Sequence, residues 1–313
     1  MPTEANIRLC DIGEDELIAH LIADLRMDDS VLCGPGDDCA VLTGSSPEWL
    51  DLLKTDVVVE HVHFASDADP EQVGWKALAR PLSDIAAMGG LPTAAVVTIV
   101  TPDHLPLSQA VGWYRGMQKV AQTYGFSVVG GESSSSPANH AVISVSMTGR
   151  VEPDRCIYRS GAKQGDAILV TGRLGGSLPS GRHLNFQPRL TESRWLGEFF
   201  KINAMMDLSD GLAKDLPRMM KLSELGYHVD VDRLPCHHGA DAQAAMGDGE
   251  DYELLFTITQ AQVPDLLSAW KQQFANQLDL TVIGEVVAAA QSGDQLSGGW
   301  DHFDNEGSSS TSK

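Results

Sequence analysis

Between residues 14 and 25 the apolar side chains Leu17, Ile18, Leu21, Ile22 and Leu25 recur at three- and four-residue intervals, the spacing of one helix face. Shorter apolar runs at 31–33, 40–42 and 50–59 predict strands, with GPGDD (34–38) as a tight turn before the second. Asp69 followed by Pro70 is an N-cap and first-turn signature, so a helix is expected to run from there towards Met88, where Gly89 and Gly90 stop it. Pro81 is expected to kink or divide that helix, because its ring removes a backbone donor and clashes one turn back, leaving Asp84 just beyond the break. A buried strand at 94–100, a helix at 107–124 and strands at 127–129 and 141–148 complete the first half.

Around 151–155 the chain becomes charged and carries a proline, which places a domain boundary there. The second half alternates again: strands at 167–171, 204–207, 252–258 and 280–283, helices at 191–201, 211–223 and 260–273. The expectation is a mixed α/β chain of two domains, 1–150 and 151–305, followed by a serine-rich end, 306–313, without apolar anchors and expected to be disordered. A length of 313 residues suits two domains, each with its own core.

Charge narrows the function. Against 22 Lys and Arg stand 43 Asp and Glu, a net charge of −21, which argues against nucleic acid or an anionic membrane as partner and implies that an anionic substrate needs metal ions as intermediaries. The five cysteines form no CxxC pair and are odd in number, which argues against a disulfide framework or a zinc finger and for a reducing cytoplasm. The charged N-terminus and the shortness of every apolar run lead us to expect no signal peptide and no anchor.

Acidic residues sit beside glycines or at the ends of apolar runs: Asp37 and Asp38 after Gly36, Asp56, Asp84, Glu132 after Gly130 and Gly131, and Asp207 and Asp210 ahead of Gly211. Oxygen-only ligands suit hard cations such as magnesium, and converging carboxylates repel one another unless cations lie between them. Singly, each has a plainer reading. An Asp after Gly is a turn or cap residue, the glycines before Glu132 make a tight turn, and Ser209 or Asp210 caps the helix from Gly211. His61 and His63 alternate on a strand face, as a zinc pair or as packing and substrate contacts; GRLGGS (172–177) is a phosphate cradle or a simple turn. No P-loop of the form GxxxxGKS/T is present, and RSGAKQGD (159–166) has only a superficial likeness to one.

Taken in order, GDDCAVL (36–42), KTDVVVEHVHF (54–64), KALARPLSDIAAMGG (76–90), VVGGES (128–133), RSGAKQGD (159–166), MDLSDGL (206–212), GEDYELLF (249–256), IGEV (283–286) and WDHF (300–303) resemble the thiamine-monophosphate kinase family. The resemblance implies an aminoimidazole ribonucleotide synthetase-like fold in two domains, with N-terminal sheets pairing across a homodimer. It implies ATP-dependent phosphorylation of thiamine monophosphate to thiamine diphosphate, with several Mg2+ ions. Carried over by position, Asp38, Thr55, Asp56, Asp84, Glu132, Asp207 and Asp210 would hold metal. Gly131, Arg159 and Ser209 would contact ATP, and His63, Glu250 and Trp300 the thiamine phosphate.

Two positions depart from that family. Glu132 stands where an Asp is common, so its longer carboxylate must draw back to reach the same ion; Lys54 stands where a hydroxyl often ligates metal, which an ammonium cannot do. Lys54 therefore either replaces a cation electrostatically or points elsewhere. A phosphate monoester is largely ionised at neutral pH, so no strong base is required and direct in-line transfer without a phosphoenzyme is expected. The rivals are a non-catalytic thiamine-phosphate binding or regulatory relative, a selenophosphate synthetase, a purine-pathway ligase and a hydrogenase-maturation factor. The first of those enzymes calls for a reactive Cys in a glycine-rich loop and the last for a cysteine tail, whereas this sequence closes on TSK.

Overall fold

The computed structural model describes residues 7–274, 277–292 and 296–303; the segment 306–313 lies outside the described residues. In the first half, β1 (Val31–Cys33), β2 (Ala40–Thr43), β3 (Leu50–Val59), β4 (Leu91–Thr101), β5 (Ser127–Ser135) and β6 (Val142–Val151) form one sheet in the order β1-β2-β3-β6-β4-β5. All neighbours run antiparallel except β4 and β5, which are joined by the crossover helix α3 (Leu107–Tyr124), as a parallel pair requires. Strand alternation gives the sheet two unlike faces. Along β3, Leu52 and Val58 are buried while Leu53, Thr55 and Val57 are exposed. The inner residues Leu52, Val97, Ile143 and Met147 form one core with Leu78, Leu82 and Ile85 of α2 (Pro70–Ala87) and Trp113 and Met117 of α3.

Helix α2 starts as expected: Asp69 caps it, accepting from the amides of Glu71 (2.9 Å) and Gln72 (3.0 Å). The expected division at Pro81 does not occur; the helix is continuous to Ala87. Pro81 forfeits one amide bond and strains the turn, a cost of about 3 kcal/mol. Burial offsets it, because α2 from Lys76 onwards is enclosed nearly all round, by the first sheet on one side and the second half on the other.

The second half holds β7 (Asp166–Thr171), β8 (Ala204–Asp207), β9 (Leu225–Val229), β10 (Leu254–Thr259) and β11 (Leu280–Ala288) in the order β8-β10-β7-β11-β9, all antiparallel. Both faces of β7 and β10 are covered, which accounts for their unbroken apolar runs. Ile168, Val170 and Leu255 pack with Leu212, Leu216 and Met219 of α5 (Leu212–Leu222); Leu169, Phe256 and Ile258 pack with Leu196 of α4 (Leu190–Phe199) and with Leu266 and Trp270 of α7 (Val263–Phe274).

Several expectations are corrected. The strand expected at 127–129 continues through Gly130, Gly131 and Glu132, because parallel pairing with β4 carries it; a Cβ at Gly131 would lie 1.8 Å from the Val97 carbonyl oxygen, so only glycine permits that approach. Strand β9 and the short helix α6 (Ala242–Gly247) were not among the expected elements, β9 being only five residues with Gly226 inside it. Helix α1 (Gly13–Ile22) forms as expected but ends three residues early.

Candidate active site

Asp38 follows the turn between β1 and β2, Asp84 lies in the last turn of α2 and Asp207 ends β8, so three distant pieces of chain each bring a carboxylate to one point. One oxygen from each lies within 4.8 Å of the others, and all three side chains are buried. Asp38 Oδ1 accepts from the Arg159 guanidinium, while its Oδ2 is buried without a hydrogen-bond partner, which is a vacant ligand atom in a nest of acids. Burial pushes Asp207 up to about 6, with the charge of Asp38 adding to it and the Ser83 hydroxyl, 2.6 Å away, opposing. Burial likewise raises the Asp84 carboxyl well above its ordinary range; Lys54 opposes, and Asp207, Asp56 and Asp38 reinforce. Acids so crowded form a donor set of the kind that suits a divalent cation.

The inner face of β3 supplies a second layer. Lys54 Nζ lies 2.6 Å from Asp84 Oδ1 and 4.0 Å from Asp56 Oδ2, and Asp56 Oδ1 is 3.3 Å from Arg80 Nη2. Burial opposes charge on Lys54, but Asp84 and Asp56 outweigh it and raise the ammonium above its usual range. Burial would raise Asp56, yet Arg80 and Lys54 hold it below the usual carboxylate range. Of the two alternatives for Lys54, the structure shows the ammonium among the acids.

Thr55 and Glu132 face the other way. Thr55 pairs with Ser146 across to β6, Val96 of β4 stands opposite Ser146, and Glu132 stands opposite Thr98 and Ser144 one row on; these positions make up the open face of the first sheet. The Thr55 hydroxyl donates to the Val145 carbonyl (3.2 Å), and Glu132 accepts from the adjacent Ser133 amide (2.9 Å) while exposed. Neither side chain joins the three buried acids. Asp210 also stands apart, paired with Arg218 (2.6 Å) and Lys214 (3.6 Å). The residue capping this region is one the sequence reading missed: buried Asp215, in the first turn of α5, accepts from the amides of Ser209 and Asp210 (both 3.0 Å). The helix is preceded by Gly211 at φ 100°, where a Cβ would come within 2.8 Å of the Asp248 carbonyl oxygen.

Beside the acids opens a cleft lined by His63, Arg80, Ser209, Asp210, Glu250, Tyr252, Trp300 and His302. It thus unites the three residues expected to touch thiamine phosphate with Ser209. His61 and His63 do not lie on a strand: β3 ends at Val59, and the chain turns, with the His61 amide donating to the Phe64 carbonyl (2.8 Å) and His61 at φ 69°. The turn brings the Val59 amide to His63 Nδ1 (3.0 Å), which puts the ring proton on Nε2. Burial, with the charge of Arg80, lowers His63 to about 3, so the ring is neutral.

Glu250 and Tyr252 both adopt left-handed backbone conformations, φ 65° and 52°, strained by about 1 kcal/mol each. The strain is held by DLSDG: the amides of Glu250 and Tyr252 donate to the carbonyls of Ser209 (2.7 Å) and Leu208 (2.8 Å). Burial would raise Glu250, but the His183 hydrogen bond, Lys76 and Arg80 bring it down to about 2. Asp84 was expected to hold metal, whereas Lys76, Arg80 and Ser83 were named only as part of the motif KALARPLSDIAAMGG. The i, i+4, i+7, i+8 spacing of Lys76, Arg80, Ser83 and Asp84 is the signal that places them on one helix face.

Two loops with glycine-rich sequences have their amides occupied. Gly175 and Gly176 donate to Asp251 (2.9 Å) and Asp248 (2.8 Å), and Gly161 and Ala162 donate to the Ser223 hydroxyl (both 3.2 Å). GRLGGS is therefore a turn in this structure, and RSGAKQGD contributes its arginine.

Comparison with known proteins agrees with this layout. Residues 36–151 match the family described as AIR synthase related protein, N-terminal domain, and residues 163–296 match its C-terminal domain. The thiamine-monophosphate kinase of Rhodopirellula baltica is 34% identical, over 88% of this chain and 89% of its own, and that of Bacillus subtilis is 32% identical, over 82% and 86%. A solved structure described as AaThiL complexed with AMPPCP and TMP superposes with a TM-score of 0.80 at 30% identity, covering 95% of this chain and 99% of the other. The fold is thus the mixed α/β, AIR synthase-like one, and the chain belongs to the thiamine-monophosphate kinase family.

Proposed function

We propose that this protein transfers the γ-phosphoryl group of ATP to the phosphate of thiamine monophosphate, giving thiamine diphosphate and ADP. The observation that carries the reading is the convergence of Asp38, Asp84 and Asp207 beside one cleft that unites His63, Glu250 and Trp300. The relatives named for this activity, and a related structure described with an ATP analogue and TMP, support it.

The donor set suits magnesium. It consists of carboxylate oxygens alone, and the unpartnered Asp38 Oδ2 is the kind of orphan atom a hard cation satisfies. Asp38, Asp84 and Asp207 would hold the metal, with Asp56 behind them; Thr55, Glu132 and Asp210 remain proposed ligands whose side chains would have to turn or act through nucleotide. When bound, such ions neutralise phosphate oxygens and align donor with acceptor.

The rest falls to the chain's own groups. Arg159 supplies a fixed cation against Asp38 for the nucleotide phosphates, with Gly131 and Ser209 as further nucleotide contacts. His63 offers its Nε2 proton to an anionic oxygen, Trp300 gives an apolar wall, and Glu250 an ionised carboxylate for the positively charged ring of the acceptor. Because the attacking phosphate oxygen is already ionised, none of these groups needs to remove a proton.

We further propose a cytoplasmic homodimer paired through the first sheet, with the division between the two halves near residue 150. The exposed Leu53, Val57 and Val96 on the open face support such pairing. Among the described residues no helix is long and apolar enough to cross a membrane. The deciding experiment is incubation of the purified protein with ATP, Mg2+ and thiamine monophosphate, followed by chromatography for thiamine diphosphate; binding without ADP formation would identify a regulatory relative instead.

A further inference from the structure

We propose that Lys76 is a positioning residue of the acceptor cleft: its buried ammonium ties Glu250 and the His63 turn together across the two halves of the chain, and so sets where a cationic heteroaromatic phosphate docks. This inference rests on the functional reading above.

Lys76 is fully buried, an uncommon place for a lysine without a specific role. An ammonium has three N–H donors, and those of Lys76 reach the His63 carbonyl (2.6 Å) and Glu250 Oε2; His183 Nδ1 stands 2.9 Å from the same nitrogen, accepting from it in one tautomer and donating to Glu250 in the other. With no surface exposed, Lys76 cannot itself touch a ligand. It acts through what it holds.

Those partners come from both halves of the chain. His63 and Lys76 come from the first half, His183 and Glu250 from the second, and both His63 and Glu250 line the cleft. The His63 ring is fixed from its own side by the Val59 amide, and Glu250 by its amide bond to Ser209. Lys76 joins the two fixed points, so their separation is determined by one side chain. His183 Nδ1 also lies 3.0 Å from Glu250 Oε2, closing the group into a compact triad. The other Glu250 oxygen is left for the acceptor. A carboxylate locked in that position favours a positively charged ring over a neutral one, and at a fixed distance from the Nε2 of His63 it favours an acceptor that carries its anionic group at the matching span.

The test is Lys76→Met, which keeps the length of the side chain and removes the charge. The KM for thiamine monophosphate should rise at least about tenfold, equal to about 1.4 kcal/mol. Meanwhile kcat at saturating acceptor and the KM for ATP should stay within about threefold of wild type, and calorimetric affinity for thiamine monophosphate without ATP should fall in parallel with the acceptor KM. In a Glu250→Gln background, adding Lys76→Met should cause a clearly smaller loss than in wild type, since the lysine acts largely through that carboxylate. If the single variant fails to fold because Glu250 is left buried and unpaired, the double variant lacks both charges and is compared with Glu250→Gln alone. An unchanged acceptor KM overturns the proposal, as does an equal loss in both backgrounds, or a fall in kcat and ATP affinity in step with the acceptor KM, which marks a merely structural lysine. A wild-type protein that neither binds nor phosphorylates thiamine monophosphate defeats the functional reading itself and this inference with it.

Discussion

Lys54 Nζ lies 2.6 Å from Asp84 Oδ1, so a cation carried by the chain already sits against one of the three converging acids. With Arg159 on Asp38 and Arg80 on Asp56, the four carboxylates Asp38, Asp56, Asp84 and Asp207 are answered by three side-chain cations. The nest is thus partly neutralised without metal. Asp207, met by the neutral Ser83 hydroxyl, and the unpartnered Asp38 Oδ2 keep it acidic.

Replacing Lys54 tests whether that ammonium stands in for a divalent ion. Lys54→Met should leave the acids with one more uncompensated charge and tighten Mn2+ binding by roughly tenfold or more, followed by electron paramagnetic resonance of the free ion. In metal-free buffer the variant should melt at a lower temperature, and divalent ions should restore it more than they stabilise wild type. Unchanged Mn2+ affinity would mean that Lys54 only packs against Asp84.

Asp84→Asn should lower the rate of phosphoryl transfer by about 100-fold or more, the scale on which lost electrostatic stabilisation appears in such reactions. Folding should suffer far less. The asparagine oxygen can still accept from Lys54, and one of several crowded negative charges is gone, which in the absence of metal relieves repulsion from Asp207, Asp56 and Asp38. Rate by chromatographic assay and melting temperature without metal separate the two effects; equal activity would remove Asp84 from the metal site.

Asp38, Asp84 and Asp207 were reached through the order of the motifs and the resemblance they carry, because singly each acid beside a glycine or an apolar run reads equally well as a turn or cap residue. The opposed directions of Thr55 and Asp56 were also present in the sequence, since neighbours on a strand point to opposite faces. Lys76 and Arg80 were harder. Their spacing marks a polar stripe, but a stripe of that kind belongs equally to a solvated face, and only the packing of the second half onto α2 buries it. Pro81 misled for the same reason: its local cost is plain in the sequence, while the burial that offsets it is a property of the assembled chain. For β9 the cause is different: Leu225, Tyr227 and Val229 do alternate with Gly226 and His228, but five residues with a glycine inside are too short a run to stand out.

Stability should depend on pH and on metal together. Asp37, raised by burial and by Asp38, and Asp207, raised by burial and by Asp38, both stand at about 6 in the folded protein, against about 3.9 when unfolded. A raised carboxyl favours the folded state below the unfolded value and loses that advantage as pH climbs through the folded one, so the metal-free melting temperature should fall between pH 4 and 6. Asp251, raised by burial to about 7, extends the decline but lies outside the three-acid cluster. Glu250 and Glu152, held at about 2, act oppositely and only at lower pH, where their protonation destabilises the fold. Saturating Mg2+ should flatten the pH 4 to 6 decline without abolishing the portion due to Asp251. Calorimetric melts with and without Mg2+ check this, and identical slopes would show that the acids do not bind the ion.

Direct transfer should leave no phosphorylated protein. His63, the histidine in the cleft nearest in role to a nucleophile, has Nδ1 occupied by the Val59 amide and a proton on Nε2, so neither nitrogen presents a free lone pair. The cleft's other histidine, His302, takes the Trp300 indole proton at Nδ1 (3.3 Å). Asp38, Asp84 and Asp207 crowd one another, with Arg159, Lys54 and Ser83 each on one carboxylate oxygen, and an acyl phosphate on any of the three would bury a dianion among acids. The acceptor phosphate, by contrast, arrives ionised and mobile. Incubation with γ-labelled ATP, with and without acceptor, and rapid acid or alkaline quenching should give labelled thiamine diphosphate and an unlabelled protein band. A protein label that forms with ATP alone and disappears on adding thiamine monophosphate, at a rate matching turnover, would replace the in-line scheme with a two-step one.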